Sequence, residues 1–415
     1  MNLLKTSVLN GFAVIIKMLT MLGINKVLAI YVGPSGYAAF GQLQNAIQMI
    51  TLISSGALNN GVIKYTSQHI HDEEKQVNIW KTAGTIVIIG AIITSLVVFI
   101  FSQDLSSFFI KGDDYSHVFK FFALSLIFFV LNTLLLAILN ARREIIAYAF
   151  CNIVGSIVSL IATVLLTIKY NISGALVALA TYQSFAFIVT FFVIYKKEWF
   201  KVSYIFGRID KSVFKLLLSF SLMSLVSAIC VPLSHMAIRK YIGQELGWES
   251  AGLWEAMWRL SSAFLLLVSS TFSVYFLPKL SALDAREEII KELVNGFKLI
   301  IPFVIFGAMI IYFFRGYIIT ALFSQSFMKI QEIMPFQLIG DSIKACSLLL
   351  GYLVVSKAMV KEYILSEVVI TLFFYLSIRQ FVNLLGLEGL GVAHMLTYSL
   401  HFCLLYYLVK KKGVI

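Results

Sequence analysis

The sequence predicts an all-α membrane protein with about twelve transmembrane helices, each able to cross a bilayer core of about 30 Å. Of its 415 residues, 60% are hydrophobic and only 13% are charged, whereas soluble domains carry about 25% charged residues. The apolar residues form many runs of roughly 20, the length that one spanning helix needs. The runs are continuous rather than short and alternating, which excludes a transmembrane β-barrel.

The predicted spans follow one another along the whole chain. The first apolar run is too long for a cleavable signal peptide and has no small-residue cleavage site. The four cysteines lie inside apolar runs, so we interpret them as small apolar side chains rather than disulfides or metal ligands. The spans cover residues 8–32, 38–66, 82–103, 118–140, 145–168, 174–195, 213–241, 250–276, 293–314, 332–356, 363–383 and 388–409.

Basic residues concentrate in alternate loops, which predicts the orientation. Arg142, Arg143, Lys196, Lys197 and the lysines at 410–412 all belong to one side, whereas the opposite loops carry few. By the positive-inside rule the basic side is cytoplasmic, so an even number of spans leaves both termini in the cytoplasm. This arrangement and anionic membrane lipids account for the net charge of +12, and nucleic acid is not predicted as a partner.

The two halves of the chain resemble each other at an offset of about 215 residues. "SSFFIKGDDYSHV" and then "NARREIIAY" correspond to "TALFSQSFMKI" and then "SKAMVKEY". This predicts a parallel internal repeat of six plus six spans. The predicted units are an N-lobe at 1–200, a cytoplasmic linker at 201–212 and a C-lobe at 213–415, with the lobes enclosing a central cavity.

Polar residues inside the spans are the candidate functional residues, because a charge at a helix centre costs about 2.5–3.5 kcal/mol on the insertion scale and usually faces protein or water. In the first half, Gln44, Gln48 and Asn59 belong to one polar stripe of span two, and span one carries Lys17 and Lys26. We interpret these residues as lining the cavity, the alternative being hydrogen bonds between helices. In the second half, we interpret Arg239, Arg259 and Lys344 as substrate-binding residues of the cavity, and Asp341, Glu255 and Glu367 as residues for coupling or ion pairing.

Two pairs in the second half have helical spacing that permits ion pairing. Glu255 and Arg259 are four residues apart, and Asp341 and Lys344 are three apart. We expect Asp341 and Lys344 to pair when the cavity is empty and to separate when substrate enters; the alternative is a purely structural ion pair. Lysine and arginine outnumber acids among the candidates, so the cavity should be positive and suit a phosphate or pyrophosphate.

Two histidines and the absence of enzyme motifs complete the functional prediction. His394 and His401 share a face of the last span, and we interpret them as helix contacts rather than proton carriers. The sequence has no Walker A pattern, HExxH, CxxC or GxSxG. We therefore predict no catalytic residue, no metal and no cofactor.

Several tracts resemble the Wzx-type flippases of lipid-linked O-antigen and enterobacterial common antigen repeat units, in the multidrug/oligosaccharidyl-lipid/polysaccharide exporter superfamily. They are "YVGPSGYAAFGQLQN", "NNGVIKYTSQ", "FSVYFLPKLS" and "FQLIGDSIK" followed by "GYLVVSKA". The resemblance implies a bacterial inner-membrane protein that moves undecaprenyl-pyrophosphate-linked oligosaccharide to the periplasmic leaflet for surface polysaccharide assembly. A polysaccharide polymerase and a chain-length regulator are implied partners. Lys64 lies in a matching tract and joins the cavity candidates.

Two other functions are weighed against this one. A drug/cation antiporter of the same superfamily would carry an intramembrane carboxylate in the first half, where the sequence has none. A membrane-embedded polysaccharide polymerase or ligase would have a long periplasmic loop with catalytic residues. The predicted outer loops are short, so the flippase is favoured.

Overall fold

Helices dominate the structure, a computed structural model that describes residues 3–110 and 114–415, with side chains outside 3–10, 219–224, 227, 267, 273 and 274. No β-strand occurs in these ranges. The helices of the first part of the chain are α1 Leu3–Tyr31, α2 Gly33–Ser54, α3 Asn59–Gln68, α4 Glu73–Ile100, α5 Ser102–Phe109, α6 Ser116–Ala141 and α7 Ile145–Tyr195.

The second part of the chain begins with a long helix that contains Pro232. A π-helical segment at Phe272–Phe276 joins the second and third helices of this part without interruption. The helices are α8 Lys211–Glu245, α9 Trp248–Thr271, α10 Leu277–Ala282, α11 Arg286–Phe313, α12 Arg315–Leu322, α13 Ile330–Ser356, α14 Val360–Leu385 and α15 Glu388–Lys411.

The helices account for the twelve predicted spans. Among the described residues, eight helices are long and apolar enough to cross a membrane, and the bent pair α2 and α3 makes a ninth. α7 is two helices joined at a break, where Tyr170 and Asn171 leave helical geometry, and the helices α8 and α9 lie at the two remaining predicted spans. The prediction of a twelve-helix, all-α membrane fold is confirmed.

The internal repeat is visible in helix lengths. α4 and α11 both have 28 residues, and they begin at Glu73 and Arg286, 213 positions apart. Each is followed by a helix of eight residues, α5 and α12. Next come α6 and α13, with 26 and 27 residues. The same order and lengths in both halves support the parallel repeat.

The repeat extends to rare backbone conformations. Asn171, at the break in α7, has φ 48° and ψ −132°. Gly386, 215 positions later, has φ 62° and ψ −130° at the turn between α14 and α15. Arg143 (φ 59°) and Ala358 (φ 51°) form a second such pair at the same offset. Since non-glycine residues seldom adopt positive φ, these matches show that the break in α7 is the first half's version of the α14–α15 turn.

The chain forms two compact units. The first comprises residues 1–32 and 39–232, and the second comprises residues 33–38 and 233–415. The chain leaves the first unit for the last time after Pro232, inside α8 and beyond the predicted linker at 201–212. The lobe boundaries expected from the sequence stay a prediction.

The predicted second span is broken rather than straight. α2 ends at Ser54 and α3 begins at Asn59, and the two helices meet at 51°. Gly56 and Ala57 have φ of 59° and 54° between them, which a continuing right-handed helix cannot contain. Asn59 is therefore not in line with Gln44 and Gln48, and the expectation of one continuous polar stripe is wrong.

The second unit is built around α13, which lies between α9, α11 and α15. One end of this helix packs in an apolar core with Phe272, Phe276, Leu349 and Leu353, all 2% exposed or less. The other end carries the buried polar residues Gln337 and Asp341. The apolar core thus fixes α13 in place and holds its polar end against the neighbouring helices.

Candidate functional site

A buried ion-pair cluster joins α8 and α9 in the second unit. The Glu255 carboxylate accepts hydrogen bonds from Arg239 Nε at 3.1 Å and from Arg259 Nε at 2.8 Å, and Arg239 Nη2 lies 2.8 Å from the same carboxylate. The three side chains are buried, with Arg239 only 1% exposed. The pairing of Glu255 with Arg259 follows the four-residue spacing seen in the sequence. One carboxylate therefore holds two guanidinium groups, which leaves a net positive charge among apolar helices.

The start of α2 covers this cluster. The Arg259 guanidinium lies 5.3 Å from the centre of the Tyr37 ring, an arrangement that stabilises a cation by the electron density of the ring face. Gly252 permits the approach, because a Cβ atom there would lie 1.7 Å from the carbonyl oxygen of Pro34. Tyr37 was not recognised in the sequence, where its apolar surroundings give no signal of a charged neighbour.

Lys344 on α13 is a half-buried cation held by aromatic rings. Its Nζ lies 4.4 Å from the centre of the Trp258 ring and 4.5 Å from that of Tyr398. In the part of the chain that the structure describes, no carboxylate lies within ion-pair distance of the Lys344 ammonium. The charge of Lys344 does act on Glu367 of α14 at longer range. Cation–π contacts are worth about 0.5–2 kcal/mol, so the rings stabilise the ammonium without neutralising it.

Asp341 pairs with His394 on α15. His394 Nε2 lies 3.0 Å from Asp341 Oδ1, and both side chains are 0% exposed. The expected ion pair between Asp341 and Lys344 is not formed in this structure. The reason is packing: a Cβ on Gly340 would lie 2.5 Å from His394, so this glycine lets α15 come close enough for its histidine to reach Asp341.

Two polar atoms of this pair have no hydrogen-bond partner among the residues that the structure describes. They are Asp341 Oδ2 and His394 Nδ1, and Gln337 Oε1, one helical turn before Asp341, is in the same condition. Gln337 donates from Nε2 to Ser261 Oγ at 3.2 Å. Buried polar atoms without partners are rare and costly, so the polar end of α13 is incompletely satisfied in this conformation.

His394 and His401 both contact other helices, as interpreted from the sequence. His401 Nδ1 lies 2.7 Å from Ser347 Oγ on α13, and His394 Nε2 lies 3.0 Å from Asp341 Oδ1 on the same α13. On its own helix, the His394 ring lies 4.7 Å from the Tyr398 ring. Tyr398 was missed in the sequence, although it stands four residues from His394 and therefore on the same helix face.

The candidates of the first unit are less enclosed than those of the second. Lys17, Gln48 and Lys64 are exposed, and Lys26, Gln44 and Asn59 are half-buried. Lys64 lies 5.2 Å from the ring centre of its neighbour Tyr65. A role of this group in lining a cavity stays a prediction.

Comparisons with known proteins identify relatives of the whole chain. The model of the family "Polysaccharide biosynthesis protein" matches residues 3–284. The Lipid III flippases of Escherichia coli (strain K12) and of Shigella flexneri are each 27% identical over 405 residues, which is 97% of this chain and 97% of theirs. An inward-facing multidrug resistance MATE family transporter of the MOP superfamily superimposes with a TM-score of 0.78 over 95% of both chains at 13% identity. At that identity the likeness concerns the fold alone.

Proposed function

The chain belongs to the polysaccharide biosynthesis protein family, and on that premise we propose that it is a flippase for undecaprenyl-pyrophosphate-linked oligosaccharide repeat units. It moves them from the cytoplasmic to the periplasmic leaflet by alternating access, for assembly of a surface polysaccharide such as enterobacterial common antigen or O-antigen. The flippase names of its relatives support this function, and its many apolar helices fit a multi-pass protein of the bacterial inner membrane.

The physical problem is to carry a sugar–pyrophosphate headgroup through hydrocarbon. Burying a polar group without hydrogen bonds costs about 2–7 kcal/mol, and an isolated charge costs far more. Fixed cations and hydrogen-bonding groups replace the water around the headgroup, while the polyprenyl chain stays in lipid. No bond is made or broken, so the step is transport rather than catalysis.

Lys344 is the observation that carries the proposal. Its ammonium lies within a membrane-spanning helix, held by the faces of Trp258 and Tyr398, and its charge is not neutralised by an ion pair with any described residue. A phosphate oxygen accepts strong charge-assisted hydrogen bonds from such a group. Arg239 and Arg259 share Glu255 and add positive potential without needing to contact the substrate themselves.

The topology and partners follow from the same function. We place both termini in the cytoplasm, because the loop lysines and arginines then obey the positive-inside rule. A polymerase that consumes the repeat units on the periplasmic side, and its chain-length regulator, are the partners that this function requires. Consumption of the product, an ion gradient or the membrane potential supplies the energy.

Complementation tests the role of Lys344. In a bacterium whose repeat-unit flippases are deleted, the wild-type chain should restore surface polysaccharide and clear lipid-linked repeat units from the cytoplasmic leaflet. Lys344→Met should fail at normal membrane levels and Lys344→Arg should work in part. Lys329→Met, an exposed lysine just before α13, is the matched control and should work fully. Full activity of Lys344→Met would remove the phosphate contact from the mechanism.

A further inference from the structure

We propose that Asp341 and His394 form an intramembrane proton-binding couple whose protonation is linked to binding of the anionic headgroup at Lys344. This inference rests on the proposed function, and it assigns a coupling role to two residues that the transport mechanism above does not use. The geometry of the couple, its unsatisfied atoms and its shared aromatic neighbours carry the argument.

In either protonation state, the hydrogen bond between Asp341 and His394 leaves other polar atoms of the couple without a partner among the described residues. If His394 is neutral, its Nε2–H donates to Asp341 Oδ1, and the lone pair of Nδ1 has no donor. If His394 is protonated, the imidazolium–carboxylate pair has no net charge, but its Nδ1–H has no acceptor among the described residues. Asp341 Oδ2 has no partner among the described side chains and backbone in either state. Neither state satisfies every polar atom of the couple with described residues, and each unsatisfied buried group costs free energy.

The couple and Lys344 share the same aromatic neighbours. Trp258 and Tyr398 each lie against the Lys344 ammonium, and the same two rings lie 5.6 Å and 4.7 Å from the His394 ring. The charge of Lys344 therefore acts on His394 through a short, apolar region, where charges are weakly screened.

Other ionisable groups around the couple are few or already paired. On α9, Glu255 and Arg259 are bonded to each other. His401 on α15 contacts Ser347. The remaining ionisable groups near this region are His235, whose ring centre lies 4.2 Å from that of Trp258, Arg239, which is bonded to Glu255, and Glu367 on α14. Lys344 is thus a cation that acts on His394 and has no carboxylate partner among the described residues.

Electrostatics gives the direction of the linkage. A protonated His394 close to Lys344 is disfavoured by like-charge repulsion. When a phosphate binds Lys344, that repulsion is cancelled, and one proton from water forms an N–H bond at His394 Nδ1. When the headgroup leaves, the proton returns to water. The step is a proton transfer alone, with no redox change. Because both side chains are fully buried here, proton exchange requires another conformation, which ties it to the transport cycle.

The test measures binding of undecaprenyl pyrophosphate to the purified full-length protein between pH 5.5 and pH 8. One linked proton changes Kd by up to about tenfold per pH unit. We expect His394→Gln and Asp341→Asn to remove this linked proton. The slope of log Kd against pH should then differ from the wild-type slope by up to about one. His401→Gln changes a histidine on the same helix and should keep the wild-type slope.

The ionisation of the lipid itself is separable from that of the couple. Contact with a cation favours the deprotonated phosphate, so the headgroup alone releases protons on binding. Net proton uptake when undecaprenyl pyrophosphate is added to the wild-type protein in weak buffer therefore supports the couple, and this readout does not depend on any variant folding.

The outcomes separate the two proposals. Binding by all variants with the wild-type slope, or proton release by the wild type equal to that of the His394→Gln and Asp341→Asn proteins, overturns the linkage and leaves the flippase function intact. Absence of binding by the wild type at every pH overturns the proposed function, and the linkage with it.

Discussion

Replacing Glu255 with glutamine should destabilise the second unit strongly. The side chain keeps its size but loses the charge that pairs with both Arg239 and Arg259 at 2.8 Å. Removing one partner of a buried ion pair costs about 3–5 kcal/mol, because the remaining charge is left uncompensated. For a unit of this size, about 2–4 °C of melting temperature is lost per kcal/mol, so the midpoint should fall by about 6–20 °C.

The assay is thermal unfolding of the purified protein, monitored by fluorescence-detected size-exclusion chromatography. Glu249→Gln is the matched control, since Glu249 lies on the same helix and is exposed, and an exposed change of this kind is usually within about 0.5 kcal/mol. The double variant Glu255→Leu with Arg239→Met should recover part of the loss, because it removes a charge of each sign. A Glu255→Gln protein with the melting temperature of the wild type would refute the reasoning that this carboxylate compensates two buried cations.

Three further predictions concern other parts of the chain. Lys17→Ala should lose complementation at normal membrane levels while Lys17→Arg retains it; full function of Lys17→Ala would remove it from the candidates. Gly340→Ala should push His394 off Asp341 and cost about 1–3 kcal/mol by overpacking, whereas Gly351→Ala on the same helix meets open space and should melt with the wild type. Hydrogen bonds from Ser212 and Asn78 hold the pKa of Asp210 well below its usual range, so its carboxylate stabilises the fold above about pH 4 and loses this effect as the pH falls. The melting difference between Asp210→Asn and wild type should therefore shrink in acid, and a difference that is constant with pH would contradict it.

The helices and their duplication could be predicted because both are local properties of the sequence. A run of apolar residues of bilayer length predicts a helix without knowledge of its neighbours. The break between α2 and α3 was not predicted, because Ala57 has positive φ although nothing in its residue type favours that conformation. The four-residue turn between α2 and α3 therefore changes the direction of the helix and separates Asn59 from the polar face that carries Gln44 and Gln48.

The charged residues of the candidate site could be found from the sequence, but their partners could not. Charges inside apolar spans stand out because they are costly, and helical spacing identified the partner of Glu255 on its own helix. Arg239 reaches Glu255 from sixteen residues away, and His394 reaches Asp341 from 53 residues away. Such contacts depend on which helices pack together, and here on a glycine that allows close approach.

The most direct test of the flippase function is transbilayer movement of its lipid in a defined membrane. The purified chain is reconstituted into liposomes that carry an undecaprenyl-pyrophosphate-linked oligosaccharide, and a membrane-impermeant glycosidase is added outside. Protein-free vesicles should expose about half of the lipid to the enzyme, since only the outer leaflet is accessible. With the wild-type chain nearly all of the oligosaccharide should be cleaved, and with Lys344→Met the fraction should return toward one half. Cleavage that stops at the protein-free level with well-incorporated wild-type protein would contradict the proposed function.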